Sequence, residues 1–282
     1  MRIAVFLCAS VVCWLSGCAS THREAYPAAR QQWRALCAKM PQGCVEGGTI
    51  RGVPGRVGPG RRLALERIAA SALRSVVRVK TAPREIPNIT PATTRPYGVS
   101  SRSGGSGVVI AADGLILTNE HVVRRAEHIT VVLHDGRECP VHSVVVHPWL
   151  DLAVLRIDSD GLNPLVPAQA SLKPQDAVVA VSAEVDCEVH LVRSGVLTKP
   201  RVSLQRELDP SGRRAYKDLL ESTVSLEPGF SGGPLLTTSG AFVGINVAAT
   251  GQEGRRAKRG YAIAFDERNR EAIQLLARAA DR

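Results

Sequence analysis

The feature that most constrains the fold is a long series of short apolar runs, separated by turn residues, that extends from residue 75 to residue 264. Asp113-Gly114 and Asp135-Gly136 each stand between two such runs, and Asp-Gly in that position is a strong signal for a β-hairpin. Many short strands at turn-rich spacing are typical of β-barrels, so we expect an all-β fold. The predicted strands are residues 75–79, 107–110, 115–117, 129–133, 139–146, 152–157, 177–181, 188–197, 223–226, 234–237, 241–246 and 261–264.

One helix is predicted near the end of the sequence, over residues 267–279. Asp266 precedes it as the N-cap, and Ile273, Leu276 and Ala277 share one apolar face. The sequence shows no internal repeat and, beyond its apolar N-terminal run, no segment with the length and hydropathy of a membrane span.

Three short segments place a histidine, an aspartate and a serine in that order along the chain. They are LTNEHVV around His121, DLAVL beginning at Asp151, and GFSGGP around Ser231. A serine hydroxyl is a weak nucleophile near neutral pH, so it needs a neighbouring base, which a buried carboxylate holds in the correct tautomer. Each segment alone would be an ordinary turn, core histidine or strand cap, but the three together predict acyl transfer by a Ser-His-Asp triad.

With these segments and four others, the chain from about Leu63 onward resembles trypsin-like serine proteases of the HtrA/DegP type. The other segments are residues 104–110, 194–197, 243–246 and 260–263, and they follow the order found in the family. The resemblance implies two packed antiparallel β-barrels followed by a short C-terminal helix. It places His121 and Asp151 on the first barrel, Ser231 on the second, and the active site in the cleft between them.

The resemblance also assigns a role to each residue. Ser231 would attack the scissile carbonyl, His121 would accept and later deliver the proton, and Asp151 would orient the imidazole. The backbone N–H groups of Gly229 and Ser231 would form the oxyanion hole. The resemblance therefore implies a serine endopeptidase that needs no metal or cofactor and hydrolyses unfolded or extended envelope and exported proteins through an acyl-enzyme.

The same resemblance sets the expected domain bounds. The sequence also departs from the family pattern in two ways. The first barrel would cover about residues 62–165, the second about 166–265, and the helix 266–282. The sequence ends after this helix, so we expect no PDZ domain. Phe230 stands where the family commonly has Asn or Asp, which leaves open a catalytically silent or latent peptide-binding or chaperone lipoprotein of the same fold. A structural lipoprotein that bridges envelope components through a basic surface is a further alternative.

Substrate preference depends on a few residues near the end of the second barrel. Ser225 matches the family position at the base of the primary specificity pocket and is neutral, so no carboxylate would select Lys or Arg there. With Val247 and Ala262 expected nearby, the pocket would favour a small or medium apolar side chain. The basic loop at residues 255–259 would either favour acidic neighbouring residues of a substrate or be an ordinary solvated loop.

The N-terminus has the pattern of an export signal. A positively charged start precedes an apolar run over residues 3–15, and residues 15–18 (LSGC) resemble the lipobox of bacterial lipoproteins. We therefore predict a signal peptide over residues 1–17, lipid attachment at Cys18, and a tether over residues 18–61. Ala19 after the cysteine favours the outer membrane, facing the periplasm. The alternative is an ordinary secretory signal with an incidental cysteine.

The cysteine count fits an oxidising compartment. After removal of the signal peptide and lipidation of Cys18, four cysteines remain, and an even number suggests two disulfides. The sequence does not select among the three possible connectivities, although a Cys37–Cys44 bridge would be local. No close pair of Cys and His has the spacing of a zinc site. The disulfide candidates are Cys37, Cys44, Cys139 and Cys187.

The formal net charge of +10 bears on the kind of partner that the chain meets. A basic protein is attracted to acidic surfaces such as the headgroups of anionic lipids. Nucleic acid is the weaker interpretation, because the basic residues are scattered and not interleaved with aromatic ones. We therefore expect protein or peptide substrates and a membrane, and no nucleic acid; the sequence does not indicate an oligomeric state.

Overall fold

The computed structural model describes residues 67–68, 70–83, 104–124, 126–169, 172–183, 190–204, 216–250 and 259–281. Within these residues the chain forms two closed antiparallel barrels of six strands each. The predicted all-β fold of two packed barrels with a short C-terminal helix is confirmed.

The first barrel closes in the strand order β1-β2-β3-β6-β5-β4. Its core is formed by β-branched and leucine side chains such as Val77, Val109, Ile116 and Leu155, which are almost fully buried. Such side chains suit the pleated, half-buried surface of a strand. Its strands are β1 (Val76–Pro83), β2 (Gly104–Val109), β3 (Leu115–Thr118), β4 (Ala126–Val132), β5 (Glu138–Val146) and β6 (Ala153–Ile157).

The second barrel closes in the order β10-β11-β12-β9-β8-β7, with Val178, Leu197, Leu220, Phe230 and Leu235 in its core. Its strands are β7 (Ala177–Ala183), β8 (His190–Val202), β9 (Leu219–Ser222), β10 (Pro234–Thr237), β11 (Phe242–Thr250) and β12 (Arg259–Ala264).

A third buried cluster combines residues of both barrels with the C-terminal helix. It includes Leu117 and Leu152 of the first barrel, Val181 and Ile245 of the second, and Leu276 of the helix. The two barrels are thus packed together by apolar side chains, the class of contact that contributes most to folding. Two helices have defined bounds, α1 (Glu120–Val123) and α2 (Glu267–Ala280), and residues 67–68 and 70–73 are also helical.

The local turn and cap signals are also confirmed. Gly114 and Gly136 of the two Asp-Gly turns have φ of +105° and +83°, which glycine adopts without a steric penalty. At the start of α2, the side chain of Asp266 accepts a hydrogen bond from the Asn269 N–H at 3.0 Å.

One predicted strand is wrong. The sequence pattern placed a strand at residues 223–226, but β9 is Leu219–Ser222, and its four residues are all buried. Beyond Ser222, the Thr223 N–H still donates to the Val196 carbonyl of β8 at 2.9 Å, but the Val224 N–H donates to the Ser222 hydroxyl at 3.3 Å. A local hydrogen bond of this kind competes with strand pairing.

The cysteine and lipidation predictions fall largely outside the described residues, which do not include Cys18, Cys37, Cys44 or Cys187. Cys139 is described: it is a free thiol on β5, buried in the core of the first barrel, and burial raises its pKa. Over the described ranges, no helix has the length and apolar character needed to cross a lipid bilayer.

Candidate active site

His121 and Asp151 form a closely bonded pair on the first barrel. His121 lies in α1, and its Nδ1 is 2.5 Å from Oδ2 of Asp151. The backbone N–H of His121 donates to the other carboxylate oxygen, Oδ1, at 2.9 Å. The Asp151 side chain is fully buried, whereas 28% of the His121 side chain is exposed. A carboxylate at Nδ1 favours the tautomer with the proton on Nδ1, which leaves Nε2 as an acceptor.

Two neighbouring residues hold the segment that carries Asp151. The buried side chain of Asn119, at the N-cap position of α1, donates to the Asp151 carbonyl at 2.9 Å, so the start of α1 and the aspartate are joined. In the preceding turn, Nδ1 of His147 accepts the backbone N–H groups of Trp149 and Leu150 at 3.2 and 3.0 Å. Burial lowers the pKa of His147, which favours the neutral ring that these two bonds require.

A third donor to the carboxylate comes from the segment just before β9. The hydroxyl of Tyr216, a residue that is 4% exposed, donates to Oδ2 of Asp151 at 3.0 Å. Sequence reasoning missed this residue, because Tyr216 belongs to no motif and lies beside a charged, turn-rich segment. Its contact with Asp151 depends on how the two barrels pack together.

Ser231 lies in a tight turn that is held by both barrels. On the first barrel, the N–H of Ser106 in β2 donates to the Ser231 carbonyl at 2.8 Å. On the second, Gly232 N–H donates to the Asn246 carbonyl at 3.0 Å, and Asn246 N–H donates to the Gly233 carbonyl at 2.9 Å. Gly232 has φ of +83°, and a Cβ there would lie 2.0 Å from the Ser106 carbonyl oxygen. Only glycine therefore fits this close approach between the turn and β2.

The Ser231 hydroxyl is bound to the second barrel in this structure. Its Oγ donates to the carbonyl oxygen of Val247 on β11 at 3.0 Å. The side chain must therefore turn away from Val247 before it can donate to Nε2 of His121.

The peptide group between Gly229 and Phe230 is bound at both of its polar atoms. The Gly229 carbonyl accepts the hydroxyl of Ser106 at 2.7 Å, and the Phe230 N–H donates to the Glu227 carbonyl at 3.2 Å. The same Ser106 hydroxyl accepts the N–H of Ala183 at 2.8 Å. This peptide separates the Gly229 N–H from the Ser231 N–H, so the direction of both N–H groups depends on it. Sequence reasoning included Ser106 in a matching segment but did not identify its function.

Phe230 points into the core of the second barrel, where it is 1% exposed. The guanidinium of Arg193 on β8 lies over its ring, 5.9 Å from the ring centre. Arg193 Nη2 also contacts both carboxylate oxygens of Glu227 at 3.1 Å. The turn before Ser231 is thus anchored by a buried aromatic ring and an ion pair, an arrangement that the sequence did not reveal.

The three residues predicted for the specificity pocket differ in burial and in the buried cluster to which they belong. Ala262 on β12 is 1% exposed and belongs to the core of the second barrel, together with Leu226 and Phe230. Val247 is 4% exposed and belongs to the cluster shared by both barrels. Ser225 is half-buried in the segment between β9 and Ser231.

The described end of the basic loop, Arg259, is paired with the protein itself. Its guanidinium contacts the carboxylate of Glu221, whose side chain is 6% exposed. Burial alone would raise the pKa of Glu221, but hydrogen bonds from Thr198 and Arg259, with the charges of Arg259 and Lys199, together lower it. Arg259 is therefore engaged by a buried carboxylate; residues 255–258 lie outside the described part of the chain.

A cleft of about 440 Å³ lies away from these residues, next to the start of α2. Its lining includes Leu172, Arg201, Phe265 and Arg270, and none of His121, Asp151 and Ser231. In the ranges that the structure describes, no group of three or more His, Cys, Asp or Glu side chains is placed to hold a metal ion.

Comparison with known proteins relates this geometry to one family. The model of the trypsin-like peptidase domain matches residues 105–245. A probable periplasmic serine endoprotease DegP-like of Halomonas elongata is 35% identical over 166 residues, which is 58% of this chain and 33% of that protein. The corresponding protein of Chlamydia pneumoniae is 31% identical over 173 residues, or 61% of this chain and 34% of that protein. The chain thus spans about a third of the length of these curated relatives.

Solved structures agree with this comparison. The HtrA-type protease AlgW with a tripeptide has a TM-score of 0.61 at 25% identity, covering 76% of this chain and 64% of that chain. The Rv3671c protease in its inactive form has a TM-score of 0.59 at 20% identity, covering 79% of this chain and 98% of that chain, and shares the fold.

Proposed function

We propose that this chain, which belongs to the trypsin-like peptidase domain family, is a serine endopeptidase. The observation that carries the proposal is the bond between Nδ1 of His121 and the buried carboxylate of Asp151. This bond holds the imidazole in the tautomer of a general base, and the family match covers the segments of His121, Asp151 and Ser231.

In the proposed mechanism, substrate binding accompanies the rotation of the Ser231 hydroxyl from the Val247 carbonyl toward Nε2 of His121. As Ser231 Oγ attacks the scissile carbonyl carbon, its proton passes to Nε2, and the carbonyl π electrons move to oxygen. Collapse of the tetrahedral intermediate breaks the C–N bond, and His121 gives the proton to the leaving amine. A water molecule then hydrolyses the acyl-enzyme by the same steps. Asp151 stays ionised throughout and stabilises the imidazolium.

The backbone N–H groups of Gly229 and Ser231 would stabilise the negative oxygen of the intermediate. Support for this role comes from the bound peptide between them, whose carbonyl accepts the Ser106 hydroxyl. Phe230, on which the silent peptide-binding alternative rested, is buried in the second barrel, and so it does not favour that alternative.

Replacing Ser106 by Ala should lower kcat by about 10²-fold with KM nearly unchanged, because a small misplacement of catalytic groups can have an effect of that size. The substitution leaves the Gly229 carbonyl and the Ala183 N–H without their shared partner. The affinity for a peptide boronic acid, whose tetrahedral adduct places an oxygen in the hole, should fall in parallel with kcat.

The matched control is Ser71→Ala, which removes a hydroxyl that also donates to a backbone carbonyl, at 2.8 Å on an exposed helical segment. This control should keep kcat. A Ser106→Ala enzyme that is well folded and has a raised KM with unchanged kcat would contradict the role given to Ser106.

We propose that the substrates are unfolded or extended segments of envelope and exported proteins. The names of the relatives, probable periplasmic serine endoproteases, support proteins of the envelope as the substrates. The direct test is incubation of the purified domain with a permanently unfolded protein and with its folded form. Cleavage of the unfolded form alone, absent in Ser231→Ala, would support the proposal. Cleavage that persists in Ser231→Ala would overturn it.

The finer placement in the cell is part of the same proposal. A signal peptide over residues 1–17 and a lipid on Cys18 would anchor the protein in the envelope, at the outer membrane and facing the periplasm. The net charge of +10 supports contact with anionic headgroups, since a basic protein near such a surface is attracted to it.

A further inference from the structure

A residue of the second barrel contacts the buried Asp151 carboxylate of the first barrel. The Tyr216 hydroxyl donates to Asp151 Oδ2 at 3.0 Å, and this is the same oxygen that His121 Nδ1 approaches at 2.5 Å. We propose that Tyr216 is a positioning residue that fixes the Asp151 carboxylate, and through it the His121 imidazole. This inference rests on the proposed peptidase function.

The hydroxyl matters because the Asp151 side chain has no exposed surface. A buried carboxylate is stable as an anion only when hydrogen bonds replace its lost hydration. The His121 backbone N–H donates to Oδ1, and the Nδ1–H of His121 donates to Oδ2 from a ring whose charge changes at Nε2 during catalysis. Tyr216 gives Oδ2 a donor that stays in place in both protonation states of the imidazole.

The position of Tyr216 is itself fixed by the second barrel. The N–H of Leu204, just after β8, donates to the Tyr216 carbonyl at 3.0 Å. The ring lies in the cluster that both barrels share, together with Leu152, which follows Asp151 directly, and Leu219. The bond to Asp151 therefore links the orientation of the carboxylate to the packing of one barrel on the other.

The titratable groups that the structure describes on α1, in the turn before Asp151 and beside Tyr216 are either paired or exposed. Glu120 on α1 contacts Arg124 at 3.9 Å, and the His147 ring accepts two backbone N–H groups in the preceding turn. Beside Tyr216, Lys217 is exposed, and Asp218 contacts Arg268 at 3.2 Å and Arg201 at 3.9 Å. A change in pH dependence after substitution of Tyr216 would accordingly report on the His121–Asp151 pair.

Tyr216→Phe keeps the ring and removes only the hydroxyl. We expect kcat/KM to fall about tenfold, the order that one hydrogen bond to a charged group supplies, with KM nearly unchanged. The acid limb of the pH profile should move to higher pH, because a carboxylate with one donor fewer attracts the imidazolium proton more strongly. The matched control is Tyr261→Phe, which removes the hydroxyl of another buried tyrosine in the same cluster, 3.4 Å from Glu221 Oε2. Its acid limb should coincide with that of the wild type.

A readout that needs no activity separates this inference from the proposed function. In a Ser231→Ala background, the low-field proton resonance of the His121 Nδ1–H should shift in Tyr216→Phe and stay in place in Tyr261→Phe. If the wild type cleaves no substrate, the proposed function fails, but the resonance still tests the contact. Tyr216→Phe should also change kcat/KM less than twofold when it is introduced into the Asp151→Asn variant. An unmoved acid limb and resonance, or an equal loss in both Asp151 backgrounds, would overturn the inference.

Discussion

Asp151→Asn is expected to lower kcat by about 10⁴-fold while leaving the fold intact. In the wild type, Nδ1 of His121 lies 2.5 Å from Oδ2 of Asp151. The amide keeps the size of the carboxylate but presents an N–H group or a neutral oxygen to Nδ1. The imidazole then loses the partner that keeps the proton on Nδ1 and that stabilises its cationic form. The measurement is steady-state cleavage of an unfolded protein, with circular dichroism as the check on folding.

The chain offers a matched control for this substitution. Asp158 also contacts a histidine, with His142 Nε2 at 2.9 Å from Oδ2, but both side chains are largely exposed. Surface pairs of this kind contribute little, so Asp158→Asn should retain kcat. A loss of only a few fold in a well-folded Asp151→Asn enzyme would refute the role that we give to this carboxylate.

Gly232→Ala is expected to reduce the free energy of unfolding by more than about 4 kcal/mol, a size reserved for severe core or backbone defects. A Cβ at this position would lie 2.0 Å from the Ser106 carbonyl oxygen and 2.3 Å from Thr118 Oγ1, both in the first barrel. The positive φ of +83° adds about 1–2 kcal/mol for any residue with a Cβ. Either the turn that carries Ser231 moves away from β2, which removes activity, or the domain unfolds.

Comparison with Gly240→Ala separates the steric part of this effect from the part caused by the positive φ. Gly240 has the same φ of +83°, but the nearest atom to its Cβ would be Ser71 Oγ at 3.7 Å, an ordinary contact. Urea unfolding should therefore show a loss of about 1–2 kcal/mol for Gly240→Ala and a clearly larger one for Gly232→Ala. Equal losses in the two variants would mean that the close approach of the nucleophile turn to the first barrel is not tight.

The fold was predictable because its signals are local. Short apolar runs and the Asp113-Gly114 and Asp135-Gly136 turns predicted strands and hairpins that the structure contains, and Asp266 marked the start of the last helix. The misplaced strand at residues 223–226 shows the limit of this reasoning, since just past the end of β9 the Val224 N–H donates to the hydroxyl of Ser222. Residue pattern alone does not record such competition.

The motif residues of the candidate site were predictable for a similar reason, and the residues that support them were not. His121, Asp151 and Ser231 each stand in a recognisable segment, so the sequence proposed them directly. Ser106 and Tyr216 act across the contact between two barrels, over 123 residues to Gly229 and 65 residues to Asp151. Contacts at such separations depend on how the barrels pack, which no local pattern specifies.

Fluorophosphonate labelling of the purified domain, beside its Ser231→Ala variant, is the direct test of Ser231 as an activated nucleophile. The reagent bonds covalently to a serine only when the nucleophile, its base and the oxyanion donors act together. We predict that the wild type is labelled in the presence of an unfolded protein that draws the Ser231 hydroxyl away from Val247, and that Ser231→Ala is not labelled under any condition. A well-folded wild type that stays unlabelled with and without unfolded protein would contradict the account.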